Sequence, residues 1–235
     1  MAGRLYLVPN LLGVVAPEDV LPARTMAVAR SLTHFVVENA KPARQFLKTL
    51  GPALPLQQLD IAELGERPTG ERCAELLAPA RRGDDVGLLS DAGCPGVADP
   101  GALLVAAAHG AGIIVVPLVG PSSILLALMA SGMNGQGFTF HGYLPAKSEA
   151  RIEAIRRLEA ASQQRGSAQL FIETPYRNAA LIEALVATCR PGTRLCVAAD
   201  LTTPTESVES REIRAWRGRD LAGYAKRPAM FVLQA

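Results

Sequence analysis

The chain has few residues suited to metal or disulfide chemistry. Its four cysteines, Cys73, Cys94, Cys189 and Cys196, form no CxxC pair, and its three histidines, His34, His109 and His141, are scattered. That excludes zinc-ligand spacing and a disulfide framework; no metal is expected, and a reducing cytoplasm fits best. Long apolar runs are missing too. Residues 102–119 are interrupted by His109, Gly110, Gly112 and Pro117, so nothing approaches the roughly 18 continuous apolar residues of a membrane span. Neither GxGxxG nor GxxxxGK followed by Ser or Thr occurs, which disfavours a Rossmann dinucleotide or a P-loop nucleotide. A serine hydrolase elbow also fails, because Ile124 stands where GxSxG needs its last glycine and His141 precedes Asp200.

What is present is an ordinary globular composition, 49% apolar and 20% charged over 235 residues, enough for one large or two small cores. The first residues pair Arg4 with an apolar run, as a secretory leader does, but Pro9 and Asn10 interrupt it. A short buried strand entering a loop is the better reading. Net charge is +2, with the positive excess in the second half. There Arg211, Arg214, Arg217, Arg219, Lys226 and Arg227 surround Trp216. That cluster reads either as a nucleic-acid face or as a solvated surface of alternating charge.

Short apolar runs at residues 4–8, 33–37, 86–90 and 113–116 alternate with helical patterns at 20–31, 42–50, 71–82 and 100–111. Runs such as VGLLS and IIVV are apolar on both faces, as in a parallel sheet covered by helices on both sides. After a helical run at 122–130, the pieces FTFHG, AQLFIET, RLCVAAD and AMFVLQA read as strands. Helices at 146–163 and 178–188 separate the first three, and a polar segment precedes the last. The expectation is two α/β domains, 1–118 with a parallel sheet and 119–235 with a mixed one, and a ligand cleft between them.

Ligands of open α/β sheets lie beyond the carboxyl ends of the strands. The loops there are PNLLG, DAGCPGVADPG and PLVGPSS. Glycines let backbone groups approach a ligand, and prolines fix the loop's shape.

VGLLSDAGCPGVADPG, then GIIVVPLVGPSS, then SGMNGQGFTFHGYLPAKSEAR together resemble the tetrapyrrole methylase superfamily. Within it they are closest to the branch of small-subunit ribosomal RNA ribose 2′-O-methyltransferases. The resemblance spans nearly the whole chain. FIETPYR is similar to that branch's ES(P/T)HR segment, and ADLTTPTES to its RELTKxxE segment. It implies an S-adenosylmethionine-dependent methyltransferase, usually a homodimer, with RNA as a partner. It further implies cofactor contacts at Pro9, Gly93, Cys94, Pro95, Val97, Ser122 and Ser123, with Thr174, Pro175, Leu201, Pro228 and Ala229 in the second domain, mostly through the backbone. Cys94 fits there as a small residue in a tight loop rather than a nucleophile.

On the side where the branch binds substrate the chain differs. Asn39-Ala40-Lys41 stands for the branch's Asp-Thr-Arg, Thr203 for the Lys of RELTK, and Pro228-Ala229 for a Gly-Glu pair. A neutral hydroxyl is a weak nucleophile that calls for a base; the candidates are Glu38, Asp91, Asp99 and Glu173. Asp99 reads equally as a cap for the helix after Asp-Pro-Gly. Asn39, Arg44 and Arg177 are candidates to meet the acceptor. A small or tetrapyrrole-like acceptor, or a cofactor-binding module without catalysis, are the alternatives.

Overall fold

The computed structural model describes residues 2–235 and divides into two compact units, the first ending at Ser122 and the second starting at Ser123. Residues 119–122 stay with the first unit. The Leu118 amide donates to Leu7, and the Thr25 hydroxyl donates to the Val119 carbonyl at 2.7 Å.

In chain order the first unit runs β1 (Arg4–Val8), α1 (Pro17–Val20), α2 (Ala23–Ser31), β2 (His34–Val37), α3 (Ala40–Leu50), β3 (Asp60–Glu63) and α4 (Gly70–Leu76). It continues with α5 (Ala78–Arg82), β4 (Val86–Leu89), α6 (Ala102–Gly110) and β5 (Ile114–Pro117). The sheet order is β3-β2-β4-β1-β5, with every pairing parallel. Side chains alternate along β1. Tyr6 and Val8 pack with Met26, Phe46 and Leu47 of α2 and α3, while Leu5 packs with Cys73, Leu76 and Leu104 of α4 and α6. The connections leaving β1 and β2 therefore cover one face, and the connection leaving β4 covers the other. Because β4 lies between β2 and β1, the chain diverges on both sides of it, and such divergence opens a crevice at the strand ends.

The second unit runs α7 (Ser123–Ser131), β6 (Phe138–Tyr143), α8 (Ser148–Arg165), β7 (Ala168–Glu173), α9 (Asn178–Thr188), β8 (Arg194–Ala199), β9 (Ser207–Glu212) and β10 (Ala229–Gln234). Its sheet is mixed, in the order β6-β7-β10-β8-β9, with β6 parallel to β7 and the other pairings antiparallel. Phe171 and Phe231 stack in its core at 5.6 Å. The fold class read from the sequence is borne out.

Several local readings change. Asp60–Glu63 and Ser207–Glu212 are strands that no apolar run announces, because each is the edge strand of its sheet and only partly buried. The expected helix at 71–82 breaks at Leu77, where Pro79 starts a new turn. Pro22 likewise separates α1 from α2.

Candidate cofactor and acceptor site

Three strand-end loops of the first unit are fastened together. The Asn10 amide donates to Gly93 O at 2.8 Å, and Asn10 Nδ2 donates to Ser90 O and Asp91 O, each at 3.0 Å. Cys94 Sγ lies 3.5 Å from the Pro121 carbonyl, and a Cβ on Gly120 would come within 2.3 Å of Pro9. Pro9, Gly93, Cys94, Pro95, Val97 and Ser122 thus belong to one joined set of loops. Gly93 has φ +67°, and a Cβ there would meet Leu12 at 3.3 Å; only glycine takes this geometry freely. Burial pushes the Cys94 thiol above its ordinary value, with the Asp99 charge adding to it, so it is not an activated nucleophile. Asn10, which ties two loops with one side chain, was not singled out from the sequence. Its sole signal was a polar residue directly after a strand and a proline.

Three acidic candidates gather beside these loops. The Asp91 amide donates to Glu38 Oε2 at 3.2 Å, the Glu38 amide donates to Leu89 O, and Asn39 Nδ2 donates to Asp91 Oδ2 at 2.6 Å. Asp99 Oδ1 accepts from Gly96 N at 2.7 Å and Gly101 N at 2.9 Å, so it braces the loop and the start of α6. Burial pushes the Glu38 carboxyl above the usual carboxylate range; the Asp91 amide opposes this, and the charges of Asp91 and Asp99 reinforce it. Asp99 is raised first by burial, against the amides of Gly101 and Gly96. A cavity of about 450 Å³ is lined by Glu38, Asn39, Glu66, Ala98 and Asp99, among others. None of its carboxylates, nor Asp91, forms an ion pair with Lys or Arg among the described residues. Arg44 sits on the exposed side of α3 and makes no ion pair with them.

Glu173 lies in the second unit, apart in sequence from the other three acids, and its side chain is fully buried. Its Oε1 accepts from Thr174 N at 2.7 Å and from Arg177 Nε and Nη2 at 2.9 and 2.6 Å, while Oε2 has no partner. Ala229 pairs with both Glu173 and Ala199, so one end of this sheet carries Thr174, Pro175, Leu201, Pro228 and Ala229. Ser123 opens α7. Arg227 Nε reaches Asp200 Oδ2 at 2.6 Å, a tie absent from the sequence reading.

Four of the six basic residues of the cluster are paired with acids. Trp216 is 1% exposed, with its indole donating to Leu195 O, so it offers no ring to a nucleic acid. Arg211 and Arg219 both pair with Glu209, Arg214 pairs with Glu212, and Arg219 covers Trp216. Trp216 is therefore a core residue and not a stacking ring, while Arg217 and Lys226 of the cluster are exposed and form no ion pair among the described residues.

Residues 13–215 match the family of tetrapyrrole (corrin/porphyrin) methylases. The ribosomal RNA small subunit methyltransferase I of Escherichia coli O157:H7 is 30% identical over 93% of this chain and 73% of that protein. Its namesake from Xylella fastidiosa is 36% identical over 88% and 71%. Among solved structures, the methyltransferase CobJ shares 21% identity with a TM-score of 0.64, covering 99% of this chain and 94% of that one. The uroporphyrin-III-C-methyltransferase of Thermus thermophilus shares 22% with a TM-score of 0.58, covering 100% and 93%. These two likenesses concern the fold. No helix among the described residues is long and apolar enough to cross a membrane.

Proposed function

The chain belongs to the tetrapyrrole methylase family and is an S-adenosylmethionine-dependent methyltransferase, and from that premise we propose that it methylates a ribose 2′-hydroxyl of small-subunit ribosomal RNA. Two relatives at 30% and 36% identity carry the name of a small-subunit ribosomal RNA methyltransferase. The observation that carries the chemistry is the partly desolvated Glu38 beside Asp91 and Asp99.

The cofactor, when bound, supplies a methyl group on a positively charged sulfur. The first unit's loops fit that charge: they present neutral backbone groups close to three carboxylates with no cationic partner, an arrangement favourable to a cation. In this reading Pro9, Gly93, Cys94, Pro95, Val97 and Ser122 hold it through the backbone. The family resemblance adds Ser123, Thr174, Pro175, Leu201, Pro228 and Ala229 as further cofactor contacts.

In methyl transfer the acceptor oxygen would take the methyl carbon as its bond to the sulfonium breaks, leaving the neutral thioether, and the hydroxyl proton would have to go to a base. Glu38 Oε2 is held by the Asp91 amide, which leaves Oε1 to take that proton. A carboxylate raised above its usual range is the stronger base for that transfer. Asp91 and Asp99 support Glu38, Asp91 through its charge and its amide, and Asp99 through its charge and the loop it braces. Glu173 serves by holding Arg177. The Asn39 amide nitrogen already serves Asp91, so toward substrate Asn39 offers its carbonyl oxygen. Arg44 and Arg177 are the guanidinium groups assigned to the phosphates.

A homodimer belongs to the same proposal. Leu125 and Met129 on α7 are 53% and 78% exposed, and the edge strand β6 exposes Phe138 and Tyr143, apolar surface that a second copy would cover. Four free thiols, three of them buried, suit a reducing cytoplasm.

The test is transfer of a tritiated methyl group from S-adenosylmethionine to small-subunit ribosomal RNA taken from a strain lacking the gene. Ribose methylation blocks alkaline cleavage, so the label should appear in an alkali-stable dinucleotide. Label in mononucleotides would place the methyl on a base. Cofactor binding without any transfer would leave a non-catalytic module.

A further inference from the structure

We infer that Tyr176 is a stacking platform for an unpaired base of the RNA acceptor, an inference that rests on RNA being the acceptor. Tyr176 is 82% exposed, well above Tyr143 at 61% and Phe138 at 42%. A ring left in water contributes little to folding, yet the turn that carries it is fastened from several sides.

Pro175–Arg177 form a single 3₁₀ turn in which Pro175 fixes φ. The Arg177 amide closes the turn on Thr174 O at 2.9 Å, and the Lys226 amide donates to Pro175 O at 3.0 Å. Beneath it, buried Glu173 accepts from the Thr174 amide and from two nitrogens of Arg177. Asn178, also buried, donates through Nδ2 to the carbonyls of Tyr224 and Arg227. Holding a carboxylate fully inside is costly, and here it fixes the Arg177 guanidinium through two hydrogen bonds and so anchors the turn that carries Tyr176. An exposed ring on so rigid a base loses little freedom when something stacks on it.

The surroundings favour a nucleotide. Arg177 Nη1 has no hydrogen-bond partner among the described residues and its side chain is 39% exposed. Lys226, exposed and in no ion pair among the described residues, is joined to the same turn through its backbone. An exposed ring on a turn that carries Arg177 and is joined to the backbone of Lys226 suits a base whose phosphates meet those basic residues. Trp216, the aromatic within the basic cluster, cannot play this part because it is buried.

The experiment measures filter binding of a small-subunit ribosomal RNA transcript at two salt concentrations for wild type, Tyr176→Ala and Tyr176→Trp, with light scattering and thermal melting on each protein. Tyr176→Ala should bind about tenfold more weakly or worse, equally at both salts because no charge is lost, with mass and melting unchanged. Tyr176→Trp should bind within about twofold of wild type, since a larger ring still stacks. Wild-type affinity in Tyr176→Ala overturns the inference and leaves the RNA reading standing. Absence of binding by wild type overturns both. A change in mass with unchanged RNA affinity makes the ring a protein contact and overturns the inference as well.

Discussion

Asn39 Nδ2 donates to Asp91 Oδ2 across 2.6 Å, joining the end of β2 to the loop after β4. An amide at position 39 gives Asp91 a hydrogen-bond donor beside the Glu38 carboxyl, which burial raises. A second acid there would set two like charges in contact. Asn39→Asp should therefore raise the apparent pKa of the cluster, Glu38 included, and move the acidic limb of the rate–pH profile to higher pH by about one unit. A profile superimposable on wild type would show that Asp91 is not coupled to the base.

Glu38→Gln keeps the shape and removes the proton acceptor. Methyl transfer should fall about 10²- to 10⁴-fold, while adenosylhomocysteine binding, read by calorimetry, is retained. A transfer rate within a few-fold of wild type would assign the proton elsewhere.

The same substitution has a stability signature. The folded Glu38 carboxyl is raised, so its stabilising contribution is full below the ordinary carboxylate range and is lost as pH rises through the raised folded value. Wild type thus carries a penalty at neutral pH that Glu38→Gln lacks. The variant should melt higher than wild type at pH 7.5, with the advantage fading as pH falls through the carboxylate range. A constant difference across pH would refute the linkage.

Gly93→Val sets a β-branched side chain at φ +67° with Leu12 3.3 Å from its Cβ, a backbone region that costs such residues about 1–2 kcal/mol. The loop must shift, so adenosylhomocysteine binding should weaken at least about tenfold while melting stays cooperative. Normal affinity would make the loop structural only.

Arg177→Met leaves the buried Glu173 carboxylate with the Thr174 amide as its remaining partner. Breaking a buried pair costs about 3–5 kcal/mol, and partial exposure of Arg177 reduces this to about 2 kcal/mol, measurable by urea denaturation. Adding Glu173→Gln should recover part of the loss, because the stranded charge goes with it. An equal or larger loss in the double variant would contradict this account.

Much of the first unit was legible in the sequence. β1 and β4 are central strands buried on both faces, and such strands need unbroken apolar runs that a reader can see. The glycine- and proline-rich loops were equally visible, since their conformations demand those residues. β3 and β9 were not, because an edge strand has one neighbour and can be polar, and the polar stretch holding β9 looked like connection.

What the sequence alone determined, then, is the set of loops and their chemistry, because backbone conformation and strand burial act locally. Which groups meet was decided by tertiary structure. Glu38 and Asp91 stand 53 residues apart, and they touch because β2 and β4 pair side by side in the order β3-β2-β4-β1-β5. Trp216 goes inside and Tyr176 stays outside for the same kind of reason. Both have the same neighbours in kind, an arginine within a residue or two. Only the packing of Trp216 among Leu195, Ile213 and Tyr224, against a turn at Tyr176 held from below by a buried carboxylate, separates a core aromatic from one presented to solvent.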